Sequence, residues 1–140
     1  MENKKRVFLG GTCNESKWRK HLIPMLEEAG IDYFNPVVDD WTPECMAEEI
    51  KQRKECDYVL YVITPRMTGV YSIAEVVDDS NKHPEKTLLF ILDNDTDDGG
   101  KMKIFDKGQM KSLDAVAKLV YNNKGIVCNS FDEIISVLTN

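Results

Sequence analysis

Residues 57–63, DYVLYVI, place six aromatic, β-branched or aliphatic side chains in a row behind one aspartate. A strand that is apolar on both faces offers water no side, so it belongs in the middle of a parallel sheet covered above and below. The rest of the chain supplies the cover. Arg6-Val7-Phe8-Leu9 is a short apolar strand closed by Gly10-Gly11, after which Trp18, Leu22, Met25, Leu26 and Ala29 recur at helical spacing over about 15–29. Gly30 stands where a left-handed cap ends that helix. Ile31 to Phe34 reads as a second strand, ended by Asn35-Pro36. Thr42 can cap the next helix and Pro43 suits its first turn, with the helix running to Glu55.

After the central strand come the helix holding Glu75, a strand at 87–92, a polar loop at 93–100 and a helix from about Ser112 to Asn122. A short fifth strand at 125–128 and a last helix follow, the latter opened by a capping box of Ser130 and Glu133. Such alternation implies a single α/β domain over 1–140, a three-layer sandwich with a parallel five-stranded sheet and helices on both faces. In such sheets ligands sit beyond the carboxyl ends of the strands, near the point where strand order reverses. Three loops should therefore meet: Gly10 to Asn14, Asn35 to Trp41, and Thr64 to Ser72.

Composition narrows the partners. The formal net charge of −6 argues against a nucleic acid or an anionic membrane surface, and a hydrophobic content of 42% argues against disorder. Lys4-Lys5-Arg6 reads as a solvated tail. No apolar run reaches the roughly 18 residues of a membrane helix, and VFLGG is too short and too early for a signal peptide. Cys13, Cys45, Cys56 and Cys128 show no metal-type spacing and read as reduced thiols, so a cytoplasmic location is expected. Cys13, beside the first loop, reads as a small buried residue, with a pocket wall as the alternative.

The loop GGTCNES carries neither a Walker lysine nor a dinucleotide fingerprint. It is either a tight turn or a receptor, through Gly10, Gly11 and Thr12, for a sugar hydroxyl or phosphate. His21 and His83 fall away from the mouth, which leaves little for a histidine-based nucleophile or metal site, and no cofactor is expected. DNDTDDGG has Asp98 where a calcium loop needs glycine and Ile104 where it needs glutamate, so it reads as a solvated turn. Carboxylates remain: Asp39, Asp40, Glu48, Glu49, Asp57 and Glu75 lie in or near the mouth loops and adjoining helices. Carboxylate chemistry without metal or histidine points to glycosyl transfer. Trp18, Trp41 and Tyr71 are near enough in the chain to wall a base. Helical periodicity sets Glu75 away from Ile73, Val76 and Val77, on the side of Asp79; that face is either solvated or turned into the cleft.

FLGGT with Trp18-Arg19, YFNPVVDDW and CDYVLYVITPRMTGVYSIAEV, spanning residues 6–93, resemble the nucleoside 2-deoxyribosyltransferase-like family. The resemblance implies a flavodoxin-like sheet, with Glu75 as the nucleophile that attacks the sugar's C1′. It also implies an assisting carboxylate at Glu49 where family members carry aspartate, and a homo-oligomer. At Gly69 the family pattern has a second aspartate that is missing here. The implied activity is transfer of the sugar of a (deoxy)nucleoside to a free nucleobase. Hydrolysis of a nucleoside or nucleotide, or binding without turnover, are the alternatives. Gly69 and Tyr71, with Gly10, Gly11, Thr12, Trp18, Asp39, Asp40 and Trp41, form the expected substrate-binding set.

Overall fold

The computed structural model describes residues 4–13, 16–38 and 40–140. Five strands form one parallel sheet in the order β2-β1-β3-β4-β7: β1 (Arg6–Gly11), β2 (Asp32–Phe34), β3 (Tyr58–Ile63), β4 (Thr87–Ile91) and β7 (Ile126–Cys128). Among the described residues four α-helices connect them, α1 (Trp18–Glu28), α2 (Pro43–Glu55), α3 (Tyr71–Lys82) and α4 (Lys107–Asn122), and α5 (Phe131–Thr139) follows β7. The expected flavodoxin-like arrangement is the observed one. Among the described residues no helix is long and apolar enough to cross a membrane.

The two-residue period of the strands divides the core. Val7, Leu9, Leu60 and Val62 meet Trp18, Leu22 and Leu26 of α1 and Ile134 and Leu138 of α5 on one face. Phe8, Val59, Tyr61 and Ile63 meet Val76 of α3 and Leu113 and Val120 of α4 on the other. The central strand therefore has apolar cover on both sides.

Helix ends follow local chemistry. Thr42 accepts from the Cys45 amide at 3.1 Å, and Pro43 opens α2. Gly30 has φ +73°, and the Ile31 amide reaches back to the Leu26 carbonyl at 2.9 Å, closing α1. At α5 the Ser130 hydroxyl accepts from the Glu133 amide at 3.0 Å, but the Glu133 carboxylate takes the Asn129 amide at 3.3 Å. The expected box thus reaches one residue further back.

Two expectations are corrected. Helix α4 starts at Lys107 rather than Ser112, because Asp106 and Gln109 exchange side-chain-to-amide hydrogen bonds at 2.7 and 3.0 Å and form a capping box ahead of the apolar face. The polar stretch 93–100 is a solvated turn only at 98–100. It carries β5 (Asn94–Thr96), which pairs antiparallel with β6 (Met102–Ile104), and Asp95, 5% exposed, accepts the Thr64 hydroxyl at 2.6 Å.

The strand order leaves β1 and β3 adjacent while the chain departs from them to opposite sides, and their carboxyl ends nearly touch. Gly11 has φ +109°, and a Cβ there would sit 2.1 Å from the Val62 carbonyl oxygen. Both backbone strain and collision forbid a side chain. Gly11→Ala is expected to cost about 2–4 kcal/mol. Gly30→Ala, with positive φ but open space around its Cβ, should cost only about 1 kcal/mol. Chemical denaturation compares the two, and equal losses would contradict the close approach.

Candidate active site

The loop after β1 is fixed from both sides. The Thr12 amide donates to the Val62 carbonyl at 2.9 Å, and its hydroxyl accepts from the Thr64 amide at 2.9 Å, joining the ends of β1 and β3. On the opposite side the Trp18 indole N–H and one Arg19 nitrogen donate to the Thr12 carbonyl at 2.7 and 2.6 Å. Arg19 also donates to the Leu9 carbonyl at 2.9 Å and lies over the Trp18 ring. Trp18 is 2% exposed and belongs to the core; it positions the loop and walls no cavity. Gly10 likewise faces inward, where a Cβ would meet the Tyr61 ring at 2.8 Å.

Beyond this junction lies a cavity of about 300 Å³, at the small end of the range for small-molecule sites. Gly11, Thr12 and Cys13 form one wall, and Met67, Thr68, Gly69, Tyr71 and Ser72 form the other, with Ile63 at the base. The first and third expected loops therefore meet. Cys13 is exposed and lines the cavity, so the preferred reading as a buried residue gives way to its alternative, a pocket wall. Tyr71 is 73% exposed at the rim. A Cβ on Gly69 would find nothing within 4 Å.

The loop after β2 contributes less. Asp39 lies outside the described residues. Asp40 and Trp41 are exposed at the start of α2 and are not among the cavity-lining residues. Two other carboxylates leave the candidate set. Asp57 sits at the amino end of β3, accepting from the Arg6 amide at 2.8 Å, and Glu48 accepts from Gln52 at 2.9 Å. His21 packs against Phe131 with tilted rings 4.8 Å apart, where α1 meets α5.

Glu75 is not itself a lining residue. It follows Ser72 and Tyr71 by three and four residues, so it shares their helix face, one turn further in. That face is not solvated: the Glu75 side chain is only 13% exposed and lies 3.5 Å from a terminal nitrogen of Arg53 on α2. Burial raises its pKa and Arg53 opposes the rise, while Glu49 and Asp79 add to it. Glu49, one turn before Arg53 on α2, is half-buried and its pKa is also raised, first by burial, with Arg19 and Arg53 opposing. Two partly desolvated carboxyls thus lie within electrostatic reach of each other, and of these two, among the described residues, Glu75 is the one within 4 Å of a cation. Carboxyls held partly away from water beside a cavity are candidates for nucleophilic attack and proton transfer.

Arg53, Asp79 and Tyr61 were not among the sequence candidates. Asp79 is buried; it takes two Arg53 nitrogens at 3.0 and 2.8 Å and the Tyr61 hydroxyl at 2.5 Å. The available signal was spacing: Glu49 with Arg53, and Glu75 with Asp79, each repeat at four residues along consecutive helices.

A family model described as nucleoside 2-deoxyribosyltransferase like matches residues 4–98. The fold is similar to the crystal structure of a conserved protein from Enterococcus faecalis V583, with a TM-score of 0.60 at 13% identity over 97% of this chain and 98% of that one. Among curated proteins none matches the chain significantly.

Because Glu49 and Glu75 hold protons more tightly in the folded chain than in the unfolded one, each supports folding most at low pH. That support is lost as pH rises from the ordinary value of 4.5 through the raised folded value. Glu75→Gln and Glu49→Gln are therefore expected to match or exceed the wild-type Tm at pH 7. The advantage should shrink as pH approaches 4.5. Variants less stable than wild type at pH 7, and relatively better at pH 4.5, would contradict the reading.

Proposed function

The chain belongs to the nucleoside 2-deoxyribosyltransferase-like family, and from that premise we propose that it cleaves the N-glycosidic bond of a (deoxy)nucleoside and passes the sugar to another base. One observation carries the reading: Glu75 stands one turn in from the cavity wall, shielded from water, next to a cation and within reach of a second carboxyl. In the first step a Glu75 oxygen attacks C1′ and a C–O bond forms as the C1′–N bond breaks. The bonding pair goes to the base nitrogen, which takes a proton from Glu49. In the second step a nitrogen of the incoming base attacks C1′ from the opposite face, Glu75 leaves as a carboxylate, and Glu49 recovers a proton. Two displacements give net retention. Tyr71 at the rim offers an aromatic face to a base, and the Ser72 side chain offers a hydroxyl to the sugar.

Gly69 favours a second reading. The space where the family pattern has a carboxylate is open here, and a base site lacking that group holds an acceptor less firmly. Water then competes, and the protein releases free base.

The test is incubation of a deoxynucleoside with a different free base, followed by chromatography. A swapped nucleoside is expected from the wild type. Both Glu75→Ala and Glu75→Gln should lose at least about a thousandfold in rate, as for removal of a nucleophile. Gly69→Asp should fold normally and shift products from free base toward transfer. Turnover that survives in both Glu75 variants would overturn the proposal.

A further inference from the structure

We propose that Arg53, clamped by Asp79 and Tyr61, is a positioning residue that holds a fixed counter-charge beside the Glu75 carboxylate. The inference rests on Glu75 being the nucleophile. Helix α3 offers Arg53 three carboxylates within five residues: Glu75, Asp78 and Asp79, at 3.5, 3.6 and 2.8 Å. They are not equivalent. Asp79 is buried and holds the guanidinium through Nε and one terminal nitrogen, a two-pronged geometry that fixes the plane of the group. Tyr61, from the centre of the sheet, donates its hydroxyl to the Asp79 oxygen that also receives Arg53 Nε, so the clamp is anchored to β3.

The other terminal nitrogen faces Glu75 at 3.5 Å, beyond hydrogen-bond contact. Arg53 is thus placed by Asp79 and not by Glu75. The consequence is chemical. When Glu75 gives up its charge in forming a bond to C1′, its counter-ion is still balanced by Asp79 and has no reason to move. When Glu75 leaves again as a carboxylate, the cation is already in place, so little reorganisation is needed at either step.

The surroundings give Arg53 work to do. Glu49 from α2, Asp78 and Asp79 from α3 and the Tyr61 phenol from β3 all face the Glu75–Arg53 pair, and Arg19 lies behind Glu49. Glu49, Asp79 and burial favour protonated Glu75; Arg53 is the cation that opposes them. Burial alone would lower the Arg53 pKa, but its hydrogen bonds to Asp79 and the charges of its neighbours raise it instead, so the guanidinium stays charged.

A merely structural role, tying α2 to α3, predicts loss of stability without a change in how Glu75 titrates. Carbon-13 NMR of carboxyl-labelled glutamate follows the Glu75 titration directly and needs no turnover, with Glu75→Gln assigning the resonance. In Arg53→Gln the midpoint is expected to move to higher pH, and the acidic limb of the kcat/KM profile should move with it, with at least tenfold loss below the limb. In Arg53→Lys, which keeps the charge but not the two-pronged grip, the midpoint should stay near wild type while kcat falls at every pH. An unmoved midpoint in Arg53→Gln, or wild-type kcat in Arg53→Lys, would overturn the proposal while turnover still depends on Glu75. Turnover that survives in Glu75→Gln would instead overturn the nucleophile assignment, and this inference with it.

Discussion

The close approach of β1 to β3 at Gly11 governs what this molecule can present to a ligand. The chain leaves these two parallel strands toward opposite faces of the sheet, yet Gly11 lies so near Val62 that no side chain fits between them. Thr12 then joins both chains with its amide and its hydroxyl. Trp18 and Arg19 draw the loop's carbonyl back toward α1, so the opposite side of the loop faces the start of α3 across the cavity. Every later feature inherits this geometry: the position of Tyr71 and Ser72, the turn that follows them, and the carboxylate one turn further in.

The second constraint is electrostatic. Glu75 and Glu49 are withheld from water without enough positive charge to compensate them, which costs folding free energy at neutral pH. Such an arrangement is poor design for stability alone and typical of sites that need reactive carboxyls. Arg53 offsets part of the cost, through an ion pair with Glu75 at 3.5 Å and through its charge, with that of Arg19, at Glu49.

Much of the fold was legible because its signals are local. DYVLYVI could only be a central strand, and Thr42-Pro43 and Gly30 marked helix ends that the structure reproduces. The hairpin of β5 and β6 was not legible. Its first strand is the polar Asn94–Thr96, held by a hydrogen bond from Thr64, a partner far away in sequence. Trp18 shows the same limit within the site. Its place on the apolar face of α1 was readable, whereas its role in holding the Thr12 carbonyl depends on a loop whose course sequence does not specify. Glu49 and Glu75 stood among six carboxylates placed near the mouth by position, resemblance singled them out, and the helical pattern left the burial of Glu75 open. The Arg53–Asp79–Tyr61 clamp joins three elements, and a pairing of that kind emerges only from the packed structure.

The central claim is a covalent bond between Glu75 and the sugar. The most direct measurement uses a nucleoside with fluorine at the 2′ position, which destabilises the cationic transition states and slows release of a trapped sugar. Intact-protein mass spectrometry, with peptide mapping, then locates any adduct. The account predicts that wild-type protein gains the mass of one fluorinated pentosyl group on the peptide containing Glu75, and that Glu75→Gln gains none. Base release with no adduct on that peptide, or an adduct on another residue in both proteins, would contradict it.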